Sequence, residues 1–174
     1  NHLLDGSELQ TEKIMEIAKE NIRCFLDLGT FSDGNSLNRY ILDNISYRLD
    51  EDILNVSFDD SDFVERCLLK KVEQSLKRQE KILGSRQHMN EFMRVAVLNA
   101  VDSAWVEQVD YLQQLQAAVS GRATAQRNLL FEYQNDAFES FKKMECTIKE
   151  KALRNILLGD VYVDKENKLH ILFP

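Results

Sequence analysis

At 174 residues, 44% hydrophobic and 29% charged, the chain can bury a core and is too apolar for a disordered tail. One proline and six glycines leave long stretches unbroken, which favours helices and argues against a turn-rich all-β fold. The net charge of −7 is uneven: residues 1–66 hold fifteen Asp/Glu against six Lys/Arg, whereas residues 67–160 hold twelve against fourteen, so no basic face points to nucleic acid.

In chain order, Ile14, Ile17, Ala18, Ile22, Phe25 and Leu26 recur at helical steps and predict a first helix over 8–28, stopped by Gly29. Thr30–Asn35 reads as a loop, and Ser36 as the cap of a short helix carrying Leu37, Ile41, Leu42 and Ile45. Alternation at Leu54, Val56 and Phe58 allows a short strand or an extended connector. A further helix is expected to begin at Ser61 or Asp62 and to run through Leu83, where Gly84-Ser85 offers a break. The acidic run Asp59-Asp60-Ser61-Asp62 fits a helix cap better than a cation site.

Helical signals then continue from Arg86 to Ser120, roughly 50 Å of helix. Such a rod must bury its apolar stripe: Val95, Leu98, Val101, Trp105, Val109, Leu112, Leu115 and Val119. Leu130, Tyr133, Ala137, Phe141, Met144, Ile148, Ala152 and Ile156 repeat with the same period. Between the two lies a short polar connection, 121–128, which makes the pair an antiparallel helical hairpin. Its expected seam includes Trp105, Leu112, Tyr133, Phe138 and Phe141, with the single tryptophan as core packing. After Gly159, Val161-Tyr162-Val163 and Leu169–Phe173 predict a small β-hairpin or extended tail that docks on another surface. The fold class is therefore all-α with a short β or extended tail.

Chemistry-bearing patterns are scarce. There is no phosphate-cradling GxxxxGK[ST] loop, so no nucleotide site is expected in this segment, and no catalytic residue stands out. His2, His88 and His170 stand without ligand spacing, so no metal site is expected. Cys24, Cys67 and Cys146 form no CxxC pair and read as reduced, core-packed thiols of a cytosolic protein. No apolar run reaches the length of a membrane span. The chain has neither an initiator methionine nor a signal-peptide pattern, and reads as a piece of something longer.

Residues 93–141 resemble the two-helix finger of SecA, the ATP-driven motor of bacterial preprotein export. The resemblance is carried by Arg94, Val97, Leu98, Val101-Asp102, Trp105, Glu107, Leu112, Leu115, Arg122, Ala125-Gln126, Glu132-Tyr133, Phe138 and Phe141. Leu3-Leu4-Asp5 is similar to the end of that family's long scaffold helix. The resemblance implies three parts: scaffold-helix end and helical wing over 1–88, two-helix finger over 89–160, and an extended tail over 161–174. It also implies that the fingertip, Gly121, Arg122, Ala123, Thr124, Ala125, Gln126 and Arg127, meets the translocating polypeptide and a SecY-type channel. Thr124 stands where the family has tyrosine, Ala123 where it has glycine, and Asn128-Leu129 where it has Asp-Pro. No cysteine-rich zinc tail follows. These departures resemble the accessory SecA of Gram-positive bacteria, which exports selected substrates such as serine-rich glycoproteins. The implied partners are the motor domains of the same protein, the channel, the secreted preprotein and accessory Sec proteins. ATP and magnesium would belong to the N-terminal domains, and the location would be cytoplasmic, peripheral to the membrane. A free-standing helical adaptor without motor activity is the alternative.

Overall fold

The computed structural model describes residues 7–29, 34–49, 60–121 and 129–174, with side chains described from Gln10 onwards. The elements are α1 (Ser7–Asp27), α2 (Gly34–Asn44), α3 (Ser61–Leu83), α4 (Arg86–Gly121), α5 (Leu129–Leu158), β1 (Asp160–Val163) and β2 (Leu169–Leu172). Among the described residues the elements are helices apart from one antiparallel strand pair, and the helices follow the predicted periodicity. The expected strand at Leu54–Phe58 and the connection 122–128 lie outside the described residues.

Local chemistry sets the helix ends. Gly29 and Gly84 both take left-handed backbone, φ 64° and 66°, which costs a residue without a Cβ little. Gly84 N–H donates to the Glu80 carbonyl and closes α3. At the other end α3 starts at Ser61, as expected, and the cap within the acidic run is Asp60: its Oδ1 accepts from Asp62 N–H (3.1 Å) and Phe63 N–H (3.2 Å). The short second helix starts at Gly34, so Ser36 lies within its first turn instead of capping it.

The chain divides into two compact units, Asn1–Ala96 with Leu153–Pro174, and Val97–Ala152. In the first, Ile14, Ala18, Ile22 and Leu26 of α1 face Val64, Leu68, Val72 and Leu76 of α3, all buried. Both sets recur every four residues, so each helix buries one stripe. Leu37, Ile41 and Ile45 close the same core, and Phe25 stacks on Tyr40 with ring centroids 3.9 Å apart. From α4 and α5 come Phe92, Met93, Ala96, Leu153, Ile156 and Leu157.

The strand hairpin belongs to this core. Val161 is buried, and Val163, Leu169, Ile171 and Phe173 pack against the cluster. Phe173 stacks on Phe92 at 6.5 Å. The tail therefore docks on its own unit, contrary to the expectation of a surface elsewhere. Two side chains tie it down. Buried Gln79 donates from Nε2 to the carbonyls of Ile156 (3.1 Å) and Gly159 (2.7 Å), satisfying acceptors at the open end of α5. His88 bridges Ser85 Oγ (2.8 Å) and the Asn167 carbonyl (3.2 Å).

The hairpin turn is organised by Asp164. Its Oδ1 accepts from the N–H groups of Glu166 and Lys168, each at 2.9 Å, and its Oδ2 meets His170 Nε2 at 2.7 Å. The bond from His170, followed by that from the Lys168 amide, holds the Asp164 carboxyl below the usual carboxylate range. A depressed folded-state value means the contribution is complete above the unfolded carboxylate range and is lost as pH falls through the folded value. The turn amides of Glu166 and Lys168 are thus expected to lose their dispersed NMR shifts only as pH falls below the ordinary carboxylate range. Asp164→Asn should remove that step, and an unchanged titration in the variant would contradict the assignment.

Candidate functional site: the helical hairpin

Residues Val97–Ala152 form the second unit, the paired parts of α4 and α5. The helices run antiparallel: Gln108 Nε2 donates to Ser140 Oγ (2.8 Å), and Lys151 Nζ reaches Ser103 Oγ (2.9 Å) and Glu107 Oε1 (2.7 Å). The Ser140 hydroxyl in turn donates a hydrogen bond to the Ala137 carbonyl. The line of α4 facing α5 is Ala100, Ala104 and Gln108, all buried; on α5 it is half-buried Ala137 and Ser140, then buried Met144 and Ala152. Small residues let two helices approach closely, and a hydrogen-bonded Gln–Ser pair fills the middle of the seam.

This corrects the expected seam. Trp105 is 54% exposed, Phe138 59% and Phe141 44%, so none of the three is packed between the helices. Val95, Leu98, Val109 and Leu130 are exposed as well. Leu112 and Tyr133 are half-buried. On α5 the expected period largely holds, since Ala137, Met144 and Ala152 belong to it, but Trp105 and Val109 of α4 with Phe138 and Phe141 of α5 mark a face turned about a quarter-turn from the contact line. Trp105 and Val109 each follow a contact residue (Ala104, Gln108), and Phe138 and Phe141 each follow another (Ala137, Ser140). One residue is about 100° of rotation, and in antiparallel helices the same offset emerges on the same side of the pair. The hairpin therefore presents one apolar face: Leu98, Trp105 and Val109 beside Phe138 and Phe141.

The residues that precede the contact positions form the opposite face, and they are polar. Glu107, Asp136, Glu139 and Lys143 line one groove of about 610 Å³ there with Tyr111 and Thr147. Lys142, which also lines this groove, places its Nζ 4.5 Å from the Phe138 ring centroid, a cation–π contact. Exposed Trp105 should emit at long wavelength and be fully accessible to acrylamide. Trp105→Ala should change the stability of this chain by no more than about 0.5 kcal/mol, as for other surface positions. A blue-shifted, protected emission would contradict the exposed face.

Of the fingertip residues, Gly121 ends α4 and is exposed. Arg122, Ala123, Thr124, Ala125, Gln126 and Arg127 lie outside the described residues. Among the described residues no group of three His, Cys, Asp or Glu side chains converges as metal ligands. His88 and His170 serve the hairpin, as given above. Cys24 and Cys146 are exposed and Cys67 half-buried, so the expectation of core-packed thiols fails. Their helical neighbours are apolar, but the thiols fall on the outer sides of those helices. Among the described residues no helix is long and apolar enough to cross a membrane. Gln79, Gln108, Ser140 and Asn155, which organise the helix ends and seam, are not distinguishable in the sequence from surface amides and hydroxyls.

The chain matches the family described as SecA Wing and Scaffold domain over residues 1–159. The chain belongs to the SecA family. It is 34% identical, over 174 residues and its entire length, to "Protein translocase subunit SecA 2" of Staphylococcus aureus strain Newman. The same figures hold for the proteins of that name in strains NCTC 8325 / PS 47 and N315. It spans 22% of the length of each of these relatives. In SecA terms, the hairpin with its two unlike faces occupies the stretch whose residues resemble the two-helix finger.

Proposed function

We propose that this chain is the wing-and-finger segment of a SecA-type protein-export motor, which meets the translocating polypeptide and a SecY-type channel through its two-helix finger. The observation that carries the reading is the hairpin: antiparallel helices held by an alanine line and cross-helix hydrogen bonds, ending at Gly121, within a SecA-family chain. Side-chain bonds along two helices resist sliding, which suits a part that transmits force to a tip. The apolar face would rest on the motor domains of the same protein, because a solitary helical pair gains nothing from exposing Trp105, Phe138 and Phe141 to water.

ATP and magnesium would act in those other domains, with no nucleotide or metal held by this segment. The 34% identity to the SecA 2 proteins favours the accessory export system, with selected cargo such as serine-rich glycoproteins and accessory Sec proteins as further partners. The location would be cytoplasmic, at the inner face of the membrane. At the tip, Thr124 would offer a hydroxyl to backbone or sugar groups, with Arg122 and Arg127 beside it for charge-assisted bonds. A photo-crosslinker at position 124 of the complete motor, stalled on its substrate, tests this. Adducts with cargo or channel are expected; labelling confined to the motor itself would sink the fingertip role.

A further inference from the structure

The strand hairpin has an edge that no other described residue pairs. Asp164 N–H donates to the Lys168 carbonyl at 2.9 Å, and the register pairs Val163 with Leu169, Tyr162 with His170, Val161 with Ile171 and Asp160 with Leu172. Antiparallel ladders alternate bonded and non-bonded pairs. Tyr162–His170 and Asp160–Leu172 are therefore the bonded pairs, and the N–H and C=O groups of Leu169 and Ile171 point away from β1. Neither residue makes a backbone bond beyond the ladder to another described residue. β1 lies against α3, which leaves β2 as the outer strand. The outward sheet face adds Tyr162 (57% exposed), stacked on His170 at 4.7 Å, and Leu172 (72% exposed).

We infer that β2 accepts a third strand, an extended segment of the same parent protein lying outside these 174 residues. The chemistry of the edge selects the class of occupant. Unpaired amides and carbonyls at Leu169 and Ile171 repeat at strand spacing and are matched by extended backbone, not by a helix. Leu172 and Tyr162 supply apolar contact for alternate side chains of the added strand. The choice of the parent's own chain rests on two points. An open pairing edge beside exposed apolar side chains such as Leu172 is an aggregation hazard, which proteins blunt or cover. The relatives also carry more than three-quarters of their length outside the region matched here. The strand pairing needs neither cargo nor channel, so it stands or falls separately from the fingertip reading.

Site-resolved hydrogen exchange on the complete parent protein, without substrate or membranes, tests it. The amides of His170 and Leu172, bonded to β1, serve as internal references. If a third strand is present, the Leu169 and Ile171 amides exchange as slowly as those references; fast exchange at both, with the references protected, overturns the inference. A photo-crosslinker in place of Leu172 identifies the occupant. Intrachain adducts outside residues 1–174, in a mixture of isotope-labelled and unlabelled protein, are expected. Adducts between copies, or none, overturn the assignment to the parent chain. Ile171→Pro removes an outward N–H together with part of a side chain packed on the core, and should abolish the intrachain adduct while the His170 amide, the control for an intact hairpin, stays protected. Persistence of the adduct in that variant would show that the edge is not what holds the occupant.

Discussion

Phe92→Ala should be the most damaging single substitution in this chain, costing about 3–5 kcal/mol. The side chain is fully buried where α4, the end of α5 and the strand hairpin converge. Its ring stacks on Phe173, and a Cβ placed on Gly159 would lie 3.1 Å from its Cζ. The surroundings cannot close the cavity cheaply, because the α5 end is held in place by Gln79 and by the Asn155 side chain on the Ala96 carbonyl. Urea unfolding monitored by circular dichroism gives the measurement, with Phe92→Leu as a milder control. A loss near 1 kcal/mol for the alanine variant would mean the site collapses and the hairpin is not anchored there.

The second large effect is expected at Gln79. Gln79→Leu keeps the volume but leaves the Ile156 and Gly159 carbonyls buried without their donor, at about 1–3 kcal/mol for each. Part of this is offset, because Gln79 Oε1 is itself buried without a partner and disappears in the variant. Gln79→Glu separates polarity from shape. A carboxylate facing two carbonyls is repelled and desolvated, so its folded-state value rises above the ordinary range. Stability of that variant should be highest below the unfolded carboxylate range and fall as pH rises through the folded value. Urea midpoints near pH 4 and pH 7 provide the test; a Glu variant as stable at the higher pH as the wild type would refute the donor role.

Much of the architecture was legible in the residues. The four-residue steps of Ile14–Leu26 and Val64–Leu76, the breakers Gly29 and Gly84, and the change of pattern after Gly159 mark the elements to within a residue or two. These are local signals: period, cap and backbone freedom act within a few residues of each other. The resemblance to the SecA finger rested on residues in register over nearly fifty positions and agrees with the family match.

What the sequence by itself determined is therefore the helical pairing, a change to strand hairpin or extended tail after Gly159, and the family. Only the tertiary structure decided which face of α4 meets α5. Apolar residues of α4 occupy two adjoining faces, and periodicity ranks faces by hydrophobicity, whereas close helix approach depends on size. Ala100 and Ala104 permit that approach and Trp105 does not, so the bulkier stripe turns outward. The same limit hid Gln79 and His88, whose partners lie 77–80 and 79 residues away. A buried amide has no sequence pattern of its own; its role exists only once folding brings the unpaired carbonyls of another helix end within its reach.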